Sequence, residues 1–418
     1  MDHHELILFL LQVAVMLAAA LGTGQIMRRL QQPAVVGELI GGIFLGPTVF
    51  GALAPTLHAR LFPGTDSLAI AMEAIIQLGM LFFLFSAGLE VDLSQLRGRG
   101  RSTVLTSIAG IVVPFSFGFG SVLLFPDLWG THTEGHFLTF ALFMGAALSI
   151  TALPVIARIL IDLELMRTEL GAIIMAAAVV NDLLGWTLFA VILSQVAPQT
   201  LPTHSLWITL GSVLVFFTLL LLVGGWAARH LLPGVQRGLN RPGDFIGVTA
   251  IAVLTTAVVA EVIGVHAFFG AFMLGVALSQ GQEEHREVNE VIHQFAASLL
   301  APLYFVSVGL KADFAAHFDL PLVLFVLLVA SCGKVIGASL AGRGSGMPMR
   351  EALAVGFGMN ARGAMEIILA SIALEFGLID QRLFVALVIM AVVTSMLSGP
   401  AMKWLLSPQR MPNAVEEP

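Results

Sequence analysis

Thirteen apolar stretches, each close to the thickness of a lipid bilayer, follow one another along this 418-residue chain with little between them. A hydrocarbon core of about 30 Å takes about 20 residues of helix. The stretches lie near 6–27, 33–53, 68–90, 103–126, 137–159, 169–195, 206–229, 244–264, 266–280, 293–310, 320–341, 350–377 and 382–406. The second and ninth are short and rich in glycine. The connections are about a dozen residues at most, too short for a soluble domain. The first stretch does not read as a cleaved leader. Asp2, His3 and Glu5 precede it, and Arg28 and Arg29 follow the apolar run.

Composition narrows the class further. Hydrophobic residues make up 57% and charged residues 11%, against about 25% charged in an average soluble chain. That excludes a cytosolic enzyme and a disordered chain. A net charge of −7 leaves no basic surface for nucleic acid. A single cysteine, Cys332, excludes a disulfide framework and a cysteine-based metal centre. No metalloprotease, serine-hydrolase, phosphate-loop or dinucleotide pattern is present, so the reading is of a non-enzyme with no cofactor.

The basic residues give an orientation. With the N-terminus outside, fifteen of the 20 lysines and arginines fall at inner ends of spans. Arg60, Lys311 and Arg382 fall at outer ends, and Lys334 and Arg362 within spans. This asymmetry fits the positive-inside rule and an odd number of crossings, with the C-terminus inside.

Two pairs of segments repeat. Ser86-Ala-Gly88-Leu89-Glu-Val-Asp92 ends span three, and Ser307-Val-Gly309-Leu310-Lys-Ala-Asp313 ends span ten. Gly41-Gly-Ile-Phe-Leu45-Gly46 in span two matches Gly270-Ala-Phe-Met-Leu274-Gly275 in span nine. Both pairs are seven spans apart, and an odd offset makes the copies antiparallel. The expected architecture is all-α and polytopic. Inverted repeats of six helices occupy about 6–195 and 244–406, with 206–229 as the linking helix and 409–418 as a short tail.

Charges at mid-span cost at least about 2.5–3.5 kcal/mol each, which marks them as functional candidates. Asp182 lies near the centre of span six in an apolar setting, where a carboxylate can hold a proton or a small cation. Asn181 beside it either ligates an ion or bonds a neighbouring helix. Lys334, in span eleven, either serves the core or snorkels to the inner surface. Arg362 and Glu366, four apart in span twelve, form either a structural ion pair or part of the ion path. Asn360 and three nearby glycines suggest that span twelve is unwound there. In span five, Pro154 removes a helix bond and frees a carbonyl near Thr151, which gives either a second break or an ordinary kink. Two broken helices crossing at the midplane would present opposing partial charges there. Glu38, Glu73, Glu90 and Glu261, near span ends, read as solvated or capping residues.

At these residues the chain resembles the second branch of the monovalent cation:proton antiporter superfamily. The matching segments are Gln32-Pro33-Ala-Val-Val-Gly37-Glu38 with Leu45-Gly46-Pro47, then Leu84-Phe85-Ser-Ala-Gly88-Leu89-Glu90-Val-Asp92. They continue with Asn181-Asp182, Gly333-Lys334-Val-Ile-Gly337 and Asn360-Ala-Arg362-Gly363 with Glu366. The resemblance implies a homodimer with a mobile six-helix core and an elevator-like cycle. It also implies that Asp182 is the ion-binding aspartate, taking a proton or a monovalent cation in turn. Asn181 and Thr151 would flank it, and Lys334 would be the basic residue of the core. Potassium-efflux members carry a nucleotide-binding domain after the last span, and no such segment is seen here. The expectation is therefore an electroneutral Na+ or K+/H+ antiporter of the plasma membrane, working in lipid as a homodimer. The alternatives are a channel-like K+ pathway and an organic-anion symporter.

Overall fold

In the computed structural model the described residues are all but 1, 31, 92–100, 131–132, 167, 194–205, 231–241, 264–265, 280–290, 292–293 and 408–418. Among them there is no strand. Asp92, His132, the loop arginines Arg97, Arg99, Arg167, Arg237, Arg241 and Arg286, and the tail 409–418 fall outside the described residues.

The helices are α1 (His3–Arg29), α2 (Ala34–Leu45), α3 (Pro55–Leu61), α4 (Asp66–Leu89), α5 (Arg101–Leu124), α6 (Pro126–Trp129) and α7 (Thr133–Ser149). They continue as α8 (Leu153–Asp162), α9 (Glu169–Leu193), α10 (Leu206–His230), α11 (Pro242–Ile263) and α12 (Ala267–Leu278). The last are α13 (Ala301–Lys311), α14 (Leu320–Gly344), α15 (Met349–Met359), α16 (Ala364–Glu375) and α17 (Gln381–Leu406). Among the described residues, eight helices are long and apolar enough to cross a membrane. The pair α15 and α16, bent by 43° at its break, makes a ninth if it is counted as one broken span. Four shorter apolar helical segments are also present among the described residues, Phe137–Ser149, Leu214–Trp226, Ala267–Leu278 and Ala296–Lys311. The chain is a multi-pass membrane protein.

The repeated glycines are packing contacts between the two halves. A Cβ on Gly88 of α4 would strike the carbonyl of Phe272 in α12, and one on Gly275 would strike the carbonyl of Phe85. In the same way Gly42 of α2 lies against Val306 and Gly309 of α13, and Gly309 against Leu39 and Gly42. Only glycine lets two backbones approach this closely. The register differs from the motif match by one turn. Gly42, not Gly46, makes the contact that Gly275 makes. The flanks agree with this register: Gly37 abuts the carbonyl of Thr23 on α1, and Gly270 abuts that of Thr256 on α11. Gly-Leu strings are too degenerate to fix register, whereas backbone contact fixes it.

Glu38 departs from the solvated reading. It is 5% exposed, buried on α2 with its side chain beside Gly24 of α1. The α1–α2 contact that Gly37 permits encloses it.

Candidate functional site: two crossed half-helix pairs around Asp182

Span five breaks between Ser149 and Leu153, and span twelve between Met359 and Ala364. The two breaks touch. The Ala152 N–H donates to the Ala361 carbonyl at 2.9 Å, and Thr151 Oγ1 donates to the Met359 carbonyl at 2.8 Å. Each break leaves helix-end groups unpaired inside the protein, and each such group costs about 1–3 kcal/mol if left so.

Two buried cations satisfy the carbonyl end of α7. Arg362 donates from NH1 to Ala147 at 2.9 Å and from NH2 to Leu148 at 2.5 Å. Lys334 Nζ donates to Ser149, and at 2.8 Å to Gly110 of α5. Cations at a helix C-terminus also offset its partial negative charge. The Gly110 carbonyl is free because Pro114, four residues on and inside α5, has no N–H to give it. Arg362 NH1 is also paired with Glu366 at 3.0 Å, and Ser395 Oγ donates to the Arg362 carbonyl. Lys334 and Arg362 are 0% exposed and Glu366 1%. Lys334 therefore does not snorkel, and Glu366 sits in the first turn of α16, the positive end of that half-helix. Asn360 Nδ2 donates to Ser331 at 3.2 Å.

Asp182, on α9, is 1% exposed. Its carboxylate lies near Leu153, the first residue of α8, where the helix dipole favours negative charge. Its Oδ1 has no hydrogen-bond partner. Among the described residues no ion pair joins Asp182 to Lys334. Asn181 Nδ2 lies 3.3 Å from both the Gly110 carbonyl and Thr151 Oγ1. With the amide turned over, its oxygen accepts from Lys334 Nζ at 2.9 Å and its nitrogen donates to Ala177 at 3.3 Å. In either orientation Asn181 ties α9 to its neighbours. The candidate residues Asp182, Asn181, Thr151, Lys334, Asn360, Arg362 and Glu366 are thus gathered at one crossover. Sequence reasoning missed Ser149, Leu153, Ser395 and the Gly110 carbonyl. Pro114 was the available signal for Gly110.

Two cavities lie at opposite ends of α16. One, of about 240 Å³, is lined by Phe83, Ser86 and Glu90 of α4 and reaches Ala152 in the span-five break. The other, of about 420 Å³, is lined by Tyr304, Ser307 and Lys311 of α13 and by Ser371 and Glu375 of α16. Phe83, Ser86 and Glu90 occupy the same places in the first repeated motif as Tyr304, Ser307 and Lys311 do in the second. The cavities are therefore built from equivalent surfaces of the two halves.

The transmembrane sodium/hydrogen exchanger family matches residues 15–407. The chain belongs to that family. It is similar to cation/H(+) antiporter 18 of Arabidopsis thaliana, 34% identical over 96% of this chain and 49% of that protein. It is also similar to the Na(+)/H(+) antiporter NhaS4 of a Synechocystis strain, 32% identical over 96% of this chain and 97% of that protein. The K(+)/H(+) antiporter 1 of Saccharomyces cerevisiae is 30% identical over 89% of this chain and 43% of its own length. The chain spans about half the length of the Arabidopsis relatives it matches. In fold this exchanger-family chain is similar to the sodium proton antiporter MjNhaP1 of Methanocaldococcus jannaschii. The TM-score is 0.69 at 17% identity, covering 96% of this chain and all of that one.

Proposed function

We propose that the chain exchanges a monovalent cation, Na+ or K+, for H+ across the plasma membrane, with Asp182 carrying each in turn. One observation carries this reading. Asp182 is a fully buried carboxylate beside the N-terminus of α8, and its Oδ1 has no hydrogen-bond partner. The remaining core charges, Lys334, Arg362 and Glu366, are engaged with backbone carbonyls and with each other. A proton on Oδ1 or a cation beside it completes the site; Asn181 and Thr151 stand next to it.

The rest of the reading follows. Thirteen crossings place the N-terminus outside and the C-terminus inside, with repeats at 6–195 and 244–406 joined by 206–229. The crosswise glycine contacts and the equivalent cavities support inverted repeats and alternating access by an elevator-like movement of the core, in a homodimer. Exchange is one for one. A proton and a monovalent cation on Asp182 leave the core with the same net charge, so both loaded states cross at similar electrostatic cost. A channel would need a continuous polar lining, and the two cavities, at opposite ends of α16, share no lining residue. An organic-anion symporter would need an available cation, and Lys334 and Arg362 are both engaged.

The test is proton flux in proteoliposomes with Na+, K+, Li+ and Rb+ offered separately. The reading expects cation-driven flux with Na+ or K+ that is unchanged by a clamped membrane potential. Absence of flux with every cation refutes exchange. A reversal point at twice the pH gradient refutes the one-for-one cycle and implicates Lys334 as a second proton carrier.

A further inference from the structure

Lys334 is placed by α5 as much as by its own helix. A Cβ on Gly333 would lie 2.9 Å from the Pro114 Cα, and one on Gly337 would lie 2.7 Å from the Ala109 carbonyl oxygen. The α14 turn that carries Lys334 is thus seated on the α5 backbone on both sides of Gly110. From there Lys334 Nζ donates to the Gly110 carbonyl at 2.8 Å, and Asn181 Nδ2 stands farther off at 3.3 Å. Helix α5 runs from Arg101 to Leu124 straight through Pro114. An N–H at position 114 would therefore point at the Gly110 carbonyl and bond it, as residue i bonds residue i−4 in any α-helix. Proline forgoes that bond.

Without Gly110, the ammonium would be left with the Ser149 carbonyl. Lys334 is within electrostatic reach of Asp182, whose Oδ1 has no partner. Glu366 has both oxygens on Arg362 NH1 at 3.0 Å. Among the described core carboxylates, the one open to a loosened ammonium is therefore Asp182, where it would take the place of the transported cation. We propose that Pro114 is a positioning residue for the exchange. By withholding an N–H it keeps the Gly110 carbonyl for Lys334, and the tethered ammonium leaves Asp182 open to a proton or a monovalent cation. This inference rests on the exchange reading above, because it concerns the availability of Asp182.

The test is a double-variant cycle on the full chain, read by thermal unfolding in detergent and by cation/H+ exchange in proteoliposomes. Pro114→Ala supplies the missing N–H. Alone, it raises the cation KM about fivefold and leaves kcat near wild type, because the loosened ammonium competes with the cation for Asp182. In Lys334→Met the Gly110 carbonyl has lost its donor, and the same N–H refills it. Pro114→Ala therefore raises the unfolding temperature more in Lys334→Met than in wild type. Pro400→Ala, which restores an N–H inside α17, shifts unfolding equally in both backgrounds. Where Lys334→Met does not fold, recovery of folded protein in the double variant is the same rescue, and a double variant that also fails to fold overturns the inference. An unchanged KM in Pro114→Ala overturns it too, as does an equal shift in unfolding in the two backgrounds or a Pro114→Ala chain that does not fold. If wild type shows no exchange at all, the exchange reading itself fails. If wild type exchanges and Asp182→Asn does not, while Pro114→Ala keeps the wild-type KM, only the Pro114 assignment fails.

Discussion

At the scale of single residues, Lys334, Arg362 and Glu366 hold the scaffold together, and the proposed exchange leaves the ion to Asp182. Arg362 joins the α7 carbonyls to Glu366, so its loss strands a buried carboxylate as well as two helix-end oxygens. Arg362→Ala is expected to cost about 3–5 kcal/mol, read as a lower unfolding temperature in detergent. Glu366→Gln should also destabilise, and the double variant should cost less than the two together, because the partners share one interaction. Lys334→Met leaves the Gly110 and Ser149 carbonyls without their donor, a loss of about 2 kcal/mol or more. Unchanged thermal stability in Lys334→Met would contradict the role assigned to it. Thr151→Val removes the bond to the Met359 carbonyl and should cost about 1 kcal/mol.

At the scale of elements, the architecture depends on backbone meeting backbone at matched glycines. Gly88→Ala places a methyl group on the Phe272 carbonyl, and Gly309→Ala one on the Leu39 carbonyl. Each should destabilise by about 1–3 kcal/mol. Gly22→Ala, where nothing stands near, should stay near wild type. Thermal unfolding of the three variants in one detergent compares them directly. The breaks were legible in sequence because Pro154 and the glycines around Asn360 cannot sustain a regular helix. The burial of Asp182, Arg362 and Glu366 followed from charge at mid-span. Other features depend on which helices touch, which no single span declares. The freed Gly110 carbonyl became meaningful only once α14 brought Lys334 to it. Glu38 read as a span-end residue until α1 closed over it. The glycine motif aligns Gly46 with Gly275, whereas Gly42 makes the matching backbone contact, since several registers satisfy the same letters.

At the scale of the whole molecule, the account has a single titrating site and two cavities built from equivalent surfaces. Its central claim is that Asp182 releases a proton when it takes a cation. The direct measurement is calorimetric titration of the purified full chain with NaCl, and separately with KCl, in buffers of different ionisation enthalpy. The dependence of the heat on the buffer counts protons released per cation bound. The account predicts about one proton per bound cation in the wild-type protein and neither binding nor release in Asp182→Asn, with the variant still folded by its unfolding transition. Proton release on cation binding that persists in Asp182→Asn would contradict it.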